Sequence, residues 1–149
     1  MISKILVPID GSKMSHAAAK YAVELAKQTG ASLTLLSVID KRFIVEQAVS
    51  ASASPTHLRE SVEDYMKQSA QAATDGIAKV CERHRIPYKA VMRTGHPVEE
   101  IVKEATRSKA DLIVMGSHGK SALKAVILGS VTYGVLHKET KIPLLIVRR

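Results

Sequence analysis

The sequence predicts an α/β protein: one domain built on an open, five-stranded parallel sheet with helices on both faces, in the Rossmann-like manner. Three observations predict it. Short apolar runs recur at Ser3 to Ile9, Ala31 to Ile39, Asp111 to Met115 and Ile142 to Val147. Runs of this kind mark strands buried on both faces, as in a parallel sheet. Stretches of helical period separate the strands, and that alternation places crossover helices over a parallel sheet. No internal repeat or domain boundary interrupts the 149 residues, a length that suits one domain.

Each element has its own warrant. After the first strand, Asp10-Gly11-Ser12 makes a turn, and Ser12 or Ser15 caps the helix that follows. Met14, Ala17, Ala18, Tyr21, Ala22, Leu25 and Ala26 recur at helical spacing, and Gly30 is placed to end that helix. Residues 40–54 show no clear period and are rich in Ser and Ala over Val49 to Ser54, and 40–57 reads as a mobile loop. Ser54-Pro55 resembles an N-cap followed by proline at the first helical position. In the long helix beyond it, Leu58, Val62, Tyr65, Met66, Ala73, Ile77, Val80 and Cys81 form one stripe. Pro87 to Arg93 alternates, with Ala90 and Met92 inward and Lys89, Val91 and Arg93 outward, which suits an edge strand. His96-Pro97 opens the next helix, with Glu99 and Glu100 where the dipole favours them. Ser130 to Lys138 forms the last helix, and Ile142 to Val147 the last strand.

Composition narrows the function. The chain is 46% hydrophobic, too apolar for disorder. No apolar run approaches the ~18 residues that read as a membrane span, so no membrane role is expected. Met1-Ile2-Ser3-Lys4 runs straight into the first strand without a secretory leader, and one cysteine makes no internal disulfide. These features point to the cytoplasm. Charge is balanced over residues 1–75, and the whole net charge of +8 sits in 76–149. A nucleic acid, a small anion such as a nucleotide phosphate, or an ordinary solvated surface would each account for it. Four Tyr, one Phe and no Trp leave few rings to stack on bases, which argues against nucleic acid.

In open parallel sheets ligands bind at the carboxyl ends of strands where strand order reverses. Two loops leave such ends with chemistry in them: Asp10-Gly11-Ser12, and Gly116-Ser117-His118-Gly119-Lys120-Ser121. The second is not a P-loop, because position 114 is Val114, not glycine, and it lies inside a strand. No G-x-G occurs, so the dinucleotide fingerprint is absent too. What remains is Gly116, Gly119, nine residues, then Gly129-Ser130 at the start of the last helix. Glycines let backbone N–H groups approach phosphate oxygens, and a helix start favours an anion. Lys120 and Lys124 lie between the two glycine elements, where they could neutralise charge. The same spacing also fits a sharp strand exit followed by an ordinary helix cap. Cys81 and His84 could ligate metal, but two ligands alone are weak, and a buried core cysteine accounts for Cys81. No base and nucleophile pair of a hydrolase is legible.

The pattern Met115-Gly116-Ser117-His118-Gly119-Lys120 … Leu128-Gly129-Ser130-Val131 resembles the nucleotide-binding subgroup of the universal stress protein family. Ile5-Leu6-Val7-Pro8-Ile9-Asp10-Gly11-Ser12 resembles its first strand and turn, and Ile142 to Val147 its last strand. The resemblance covers essentially the whole chain. It implies strand order 3-2-1-4-5, ATP binding, commonly with a divalent ion such as Mg²⁺, and a homodimer through residues 142–147. Carried over by position, Pro8, Asp10, Val38, Ile39 and Met115 would line base and ribose. Gly116, His118, Gly119, Gly129, Ser130, Val131 and Thr132 would hold the phosphates. Asp10 would bond a ribose hydroxyl or help hold Mg²⁺. Two positions depart from the family: Ala122 stands where glycine is common, and Tyr133-Gly134 replaces a charged pair, putting a flexible glycine in the last helix and a ring near the site mouth. The last strand is apolar on both faces yet lies at an edge in that order, and pairing with a second copy would cover it.

The function implied is a nucleotide-dependent regulatory protein of the stress response, without catalytic residues of its own. The alternatives are a slow ATPase or phosphoryl-transfer enzyme of the same fold, and a dimeric interaction module without nucleotide.

Overall fold

A computed structural model of the chain describes residues 1–50, 55–119, 128–138 and 140–148. Within them the elements run β1 (Lys4–Pro8), α1 (Lys13–Thr29), β2 (Ser32–Asp40), α2 (Lys41–Ser50), α3 (Pro55–Arg83), β3 (Tyr88–Gly95), α4 (Pro97–Arg107), β4 (Leu112–Gly116), α5 (Ser130–Leu136) and β5 (Leu144–Val147). The strands form one sheet in the order β3-β2-β1-β4-β5, with every neighbouring pair parallel. The expected fold class and order are therefore found. Strand order reverses between β1 and β4, where Ile5 pairs with Leu112 and Leu6 with Ile113.

The apolar runs are continuous because side chains of alternate parity serve two cores. Ile5, Val7, Leu33, Leu35, Leu112 and Val114 face α1 and α3. Leu6, Leu36, Ile113 and Met115 face α4 and α5. Helix α1 meets the sheet through Ala18, Ala19, Ala22 and Ala26, whose small side chains allow close approach, and α3 through Ile77, Ala78 and Cys81. Val98, Ile101 and Ala105 of α4 and Val135 of α5 close the second core. Each large side chain so buried contributes about 1.5–3 kcal/mol. Burial also pushes the Cys81 thiol pKa up to about 11, as for an inert core cysteine.

The helix ends follow their sequence signals. Of the two candidate serines, Ser12 is the α1 cap: its side chain accepts the Ser15 N–H at 3.1 Å. Gly30 ends α1 in the left-handed region at φ 76°, its N–H on the Ala26 carbonyl at 2.8 Å. Helix α4 opens with Pro97 and carries Glu99 and Glu100 in its first turn.

Four local expectations change. Residues 41–50, within the stretch read as a loop, form α2, which packs on α3. The 51–54 segment, with the expected Ser54 cap, lies outside the described residues. On β3 the expected inward Ala90 is exposed, while Val91 packs against the second core. Helix packing on the two sides of the edge strand, not alternation alone, decides which side is covered. The last helix ends at Leu136 rather than Lys138, and the last strand starts at Leu144 rather than Ile142. No helix among the described residues is long and apolar enough to cross a membrane.

Candidate functional site

Parallel strands all deliver their carboxyl ends to one side, so the neighbours β1 and β4 bring their exit loops together. From β1, Ile9 is still tied to the sheet by its N–H on the Leu36 carbonyl at 2.7 Å. Asp10 follows, and Gly11 turns the chain at φ 81°, a conformation L side chains rarely adopt. The Asp10 Oδ1 accepts the Ser12 N–H at 2.9 Å, and the Asp10 N–H donates to Ser15 Oγ at 3.3 Å. The carboxylate is thus held by its own turn, with the residue exposed.

From β4, Ser117 remains tethered by its N–H on the Val147 carbonyl at 2.9 Å, and its own carbonyl accepts the Gly129 N–H at 2.7 Å. That second bond brings the start of α5 back to the β4 exit. Thr132 Oγ1 donates to the Gly116 carbonyl at 2.9 Å, a second link between the same two segments.

The glycines close this cleft tightly. A Cβ at Gly116 would lie 2.8 Å from the Met14 backbone, and one at Gly129 would lie 2.9 Å from His118 Cα. A Cβ at Gly119 would run into the Asp10 carboxylate Oδ2. Asp10, His118, Gly119 and Gly129 therefore form one wall-to-wall cluster at the β1/β4 reversal. Sequence spacing alone left open whether these glycines belong to one site.

Pro8, Val38 and Met115 share a sheet face by strand parity, and Val38 and Met115 both pack in the second core. Ile39, next to Val38 on an extended strand, is buried with its side chain on the opposite face. Thr132 is buried, while Ser130 is exposed and Val131 half-buried. Lys120, Lys124 and Ala122 lie outside the described residues.

Two relationships escaped the sequence reading. The buried Ser117 Oγ lies 3.1 Å from His118 Nδ1, which orients that imidazole and leaves its Nε2 on the far side. Adjacent Ser and His were in plain view, but only tertiary burial of Ser117 makes the pair. Gly134 is not a point of flexibility: a Cβ there would meet Val98 Cγ2 at 2.6 Å, so glycine is what lets α5 seat on α4. Its neighbour Tyr133 is exposed and stacks on His137, ring centroids 4.0 Å apart.

Fold and cleft define an open, doubly wound α/β domain whose glycine-walled cleft occupies the switch point. The chain belongs to the universal stress protein family, whose model matches residues 1–148. It is 35% identical to the universal stress protein MJ0531 of Methanocaldococcus jannaschii, over 100% of this chain and 84% of that one. The solved structure of MJ0577, from the same organism, superposes with a TM-score of 0.85 at 34% identity, covering 100% of this chain and 97% of that one. A universal stress protein family member from Arabidopsis thaliana, solved with AMP bound, shares the fold with a TM-score of 0.68 at 19% identity, covering 99% of this chain and 92% of that one.

Proposed function

We propose that the chain binds an adenine nucleotide, ATP foremost, in the β1/β4 cleft and acts as a nucleotide-dependent regulatory protein in a stress response. The observation that carries this reading is the convergence of Asp10, Gly119 and Gly129 at the switch point, where a Cβ at Gly119 would meet the Asp10 carboxylate and one at Gly129 the His118 backbone. Walls of this kind present backbone N–H groups rather than side chains, which suits phosphate oxygens. The first-turn N–H groups of α5, at Ser130, Val131 and Thr132, have no preceding helical turn to bond. His118 and Ser130 add side-chain donors beside Gly116 and Gly119. Pro8, Val38 and Met115 offer an apolar floor for the base, and Ile39 would contribute through its backbone. Asp10 suits a ribose hydroxyl. The AMP held by the Arabidopsis relative agrees with an adenylate as ligand.

Mg²⁺ would come with the phosphates, with Asp10 the carboxylate at hand. Among the described residues no group of three His, Cys, Asp or Glu side chains is placed to hold a metal ion alone. Binding becomes a signal where ATP favours one conformation over another. We place the protein in the cytoplasm, as a homodimer through β5, whose Leu144, Leu145 and Ile146 are half-buried at the sheet edge beyond β4.

The test is to purify the protein without added nucleotide, denature it, chromatograph the supernatant, and titrate ATP–Mg²⁺ against the melting temperature. Adenine nucleotide near one per chain is expected. Where the protein is recovered empty, ligand at 100 times Kd should add about 2.7 kcal/mol, a shift of several degrees. Gly129→Val should lose both, and Asp10→Ala, which leaves the glycine walls intact, should weaken binding. If no nucleotide is released and no thermal shift appears, the reading falls and the interaction module remains.

A further inference from the structure

The opposite end of the sheet, where the strands begin and the helices finish, carries features that the cleft does not use. Helix α1 closes there on Gly30 in the left-handed region, as helix ends commonly do. Helices α3 and α4 close in the same way, their turns sealed by the Ile86 N–H on the Cys81 carbonyl and the Ala110 N–H on the Ala105 carbonyl, both at 2.9 Å. Yet the left-handed residues are Arg85 at φ 56° and Lys109 at φ 55°. An L side chain is disfavoured in that conformation, and glycine would relieve it. The helix dipoles do not require these two cations, because Lys27, Arg83 and Arg107 already stand in the last turns of α1, α3 and α4.

The same end gathers further exposed cations, Lys4 and Lys89. Among the described residues, Lys4, Arg85, Lys89 and Lys109 form no ion pair, and the nearby carboxylates are engaged elsewhere. Glu82 accepts the Tyr88 hydroxyl at 2.7 Å. Asp111 accepts the Ser3 and Lys4 N–H groups, each at 2.8 Å. Buried Glu104 is held by Arg107 at 2.7 Å and Arg93 at 3.3 Å. Two grooves open beside Lys4, Arg85 and Lys89, and Lys109 lines neither. One, of about 370 Å³, is lined by Lys27, Gly30, His84, Arg85 and Pro87 among others. The other, of about 330 Å³, is lined by Lys4, Ser32, Thr34, Lys89, Pro87 and the Arg107–Glu104 ion pair among others. They adjoin at Pro87, so a basic channel passes around the starts of β2 and β3.

We propose that this channel docks an extended acidic peptide segment of a partner protein. Charge complementarity selects an anion, and the serine and threonine hydroxyls in the second groove suit carboxylates and a peptide main chain. Single-stranded nucleic acid would need free rings for its bases. The channel offers one ring in each groove, Tyr88, which is turned to Glu82, and the His84 imidazole. A lipid surface would meet the rims of two concave grooves, not a flat face. The surface is at the far end of the strands from the nucleotide cleft, so the two sites can be tested separately.

The probe is a fluorescein-labelled peptide of alternating glutamate and serine, titrated into the full chain. Controls are the peptide with glutamine for glutamate, a labelled oligothymidylate, and phosphatidylserine vesicles. The acidic peptide should bind, more weakly as salt rises, and the glutamine peptide should not. Combined Arg85→Gly, Lys4→Gln and Lys89→Gln should weaken it about tenfold. Glycine relieves the left-handed backbone at position 85, so the variant should melt no lower than wild type. Gly129→Val should leave peptide binding unchanged. Absence of peptide binding, equal binding of the glutamine peptide, unchanged affinity in the combined variant, or tighter binding of the oligothymidylate or vesicles would each overturn the proposal.

Discussion

Gly119 lies against Asp10 so closely that a methyl group on its Cα would collide with the carboxylate Oδ2. Asp10 cannot swing away freely, because its Oδ1 accepts the Ser12 N–H in the turn that starts α1. Gly119→Ala should therefore displace the carboxylate and break that bond, at the surface and away from both cores. We expect ATP affinity to fall about ten- to a hundredfold, the worth of one hydrogen bond to a charged group, with the melting temperature within a few degrees of wild type. Calorimetric titration beside a thermal melt checks both; unchanged affinity would remove Asp10 from the site.

Gly134 makes the opposite prediction to helix propensity. In an isolated helix, alanine is worth about 1 kcal/mol more than glycine. Here its Cβ would meet the buried Val98 Cγ2 at 2.6 Å. Overpacking typically costs about 1–3 kcal/mol, so Gly134→Ala should lose stability by about 1 kcal/mol net. Urea unfolding should show a lower midpoint, restored in part by Val98→Ala in the same chain. A higher midpoint for Gly134→Ala alone would contradict the close seating of α5 on α4.

Arg85 and Lys109 should be stability liabilities. A left-handed L residue costs about 1–2 kcal/mol, while added glycine freedom in the unfolded chain takes back about 0.4–1 kcal/mol. Each change to glycine should thus be neutral or stabilising by up to about 1.6 kcal/mol. Thermal melts of the single variants measure this, and a clear loss from either would mean that its side chain makes a stabilising contact.

Asp111 ties the start of the chain to β4. Its Oδ2 accepts from the Ser3 N–H, the Ser3 hydroxyl and the Lys4 N–H, each at 2.8 Å. Those bonds, the Ser3 N–H foremost, hold its pKa below the ordinary carboxylate value. A carboxyl depressed on folding stabilises above its unfolded pKa, near 4. That contribution is lost as pH falls through the folded value. The gap in melting temperature between wild type and Asp111→Ala should be constant near neutral pH and shrink below about pH 4. A gap that persists unchanged into acid would assign the effect to lost packing.

Sequence alone determined the layers of this protein. A strand covered on both faces must be apolar at consecutive positions, so Ile5 to Ile9 and Leu112 to Met115 announced a central parallel sheet locally. The capping by Ser12 and the stop at Gly30 were equally local, since each is completed within four residues. The glycine spacing 116, 119, 129 also singled out segments that meet at the β1/β4 reversal, and the family that this spacing and the first and last strands resemble is the one whose model matches the chain. Tertiary structure decided what those glycines face. Gly119 against Asp10, Gly129 against His118 and Gly134 against Val98 join residues that no local period relates. It decided α2 as well, whose turns pack on α3 and carry no stripe legible in sequence. It also turned Ala90 outward, because an edge strand is covered only where a helix happens to reach it. Patterning records whether a residue is buried; which neighbour it meets depends on the packing of segments far apart in the chain.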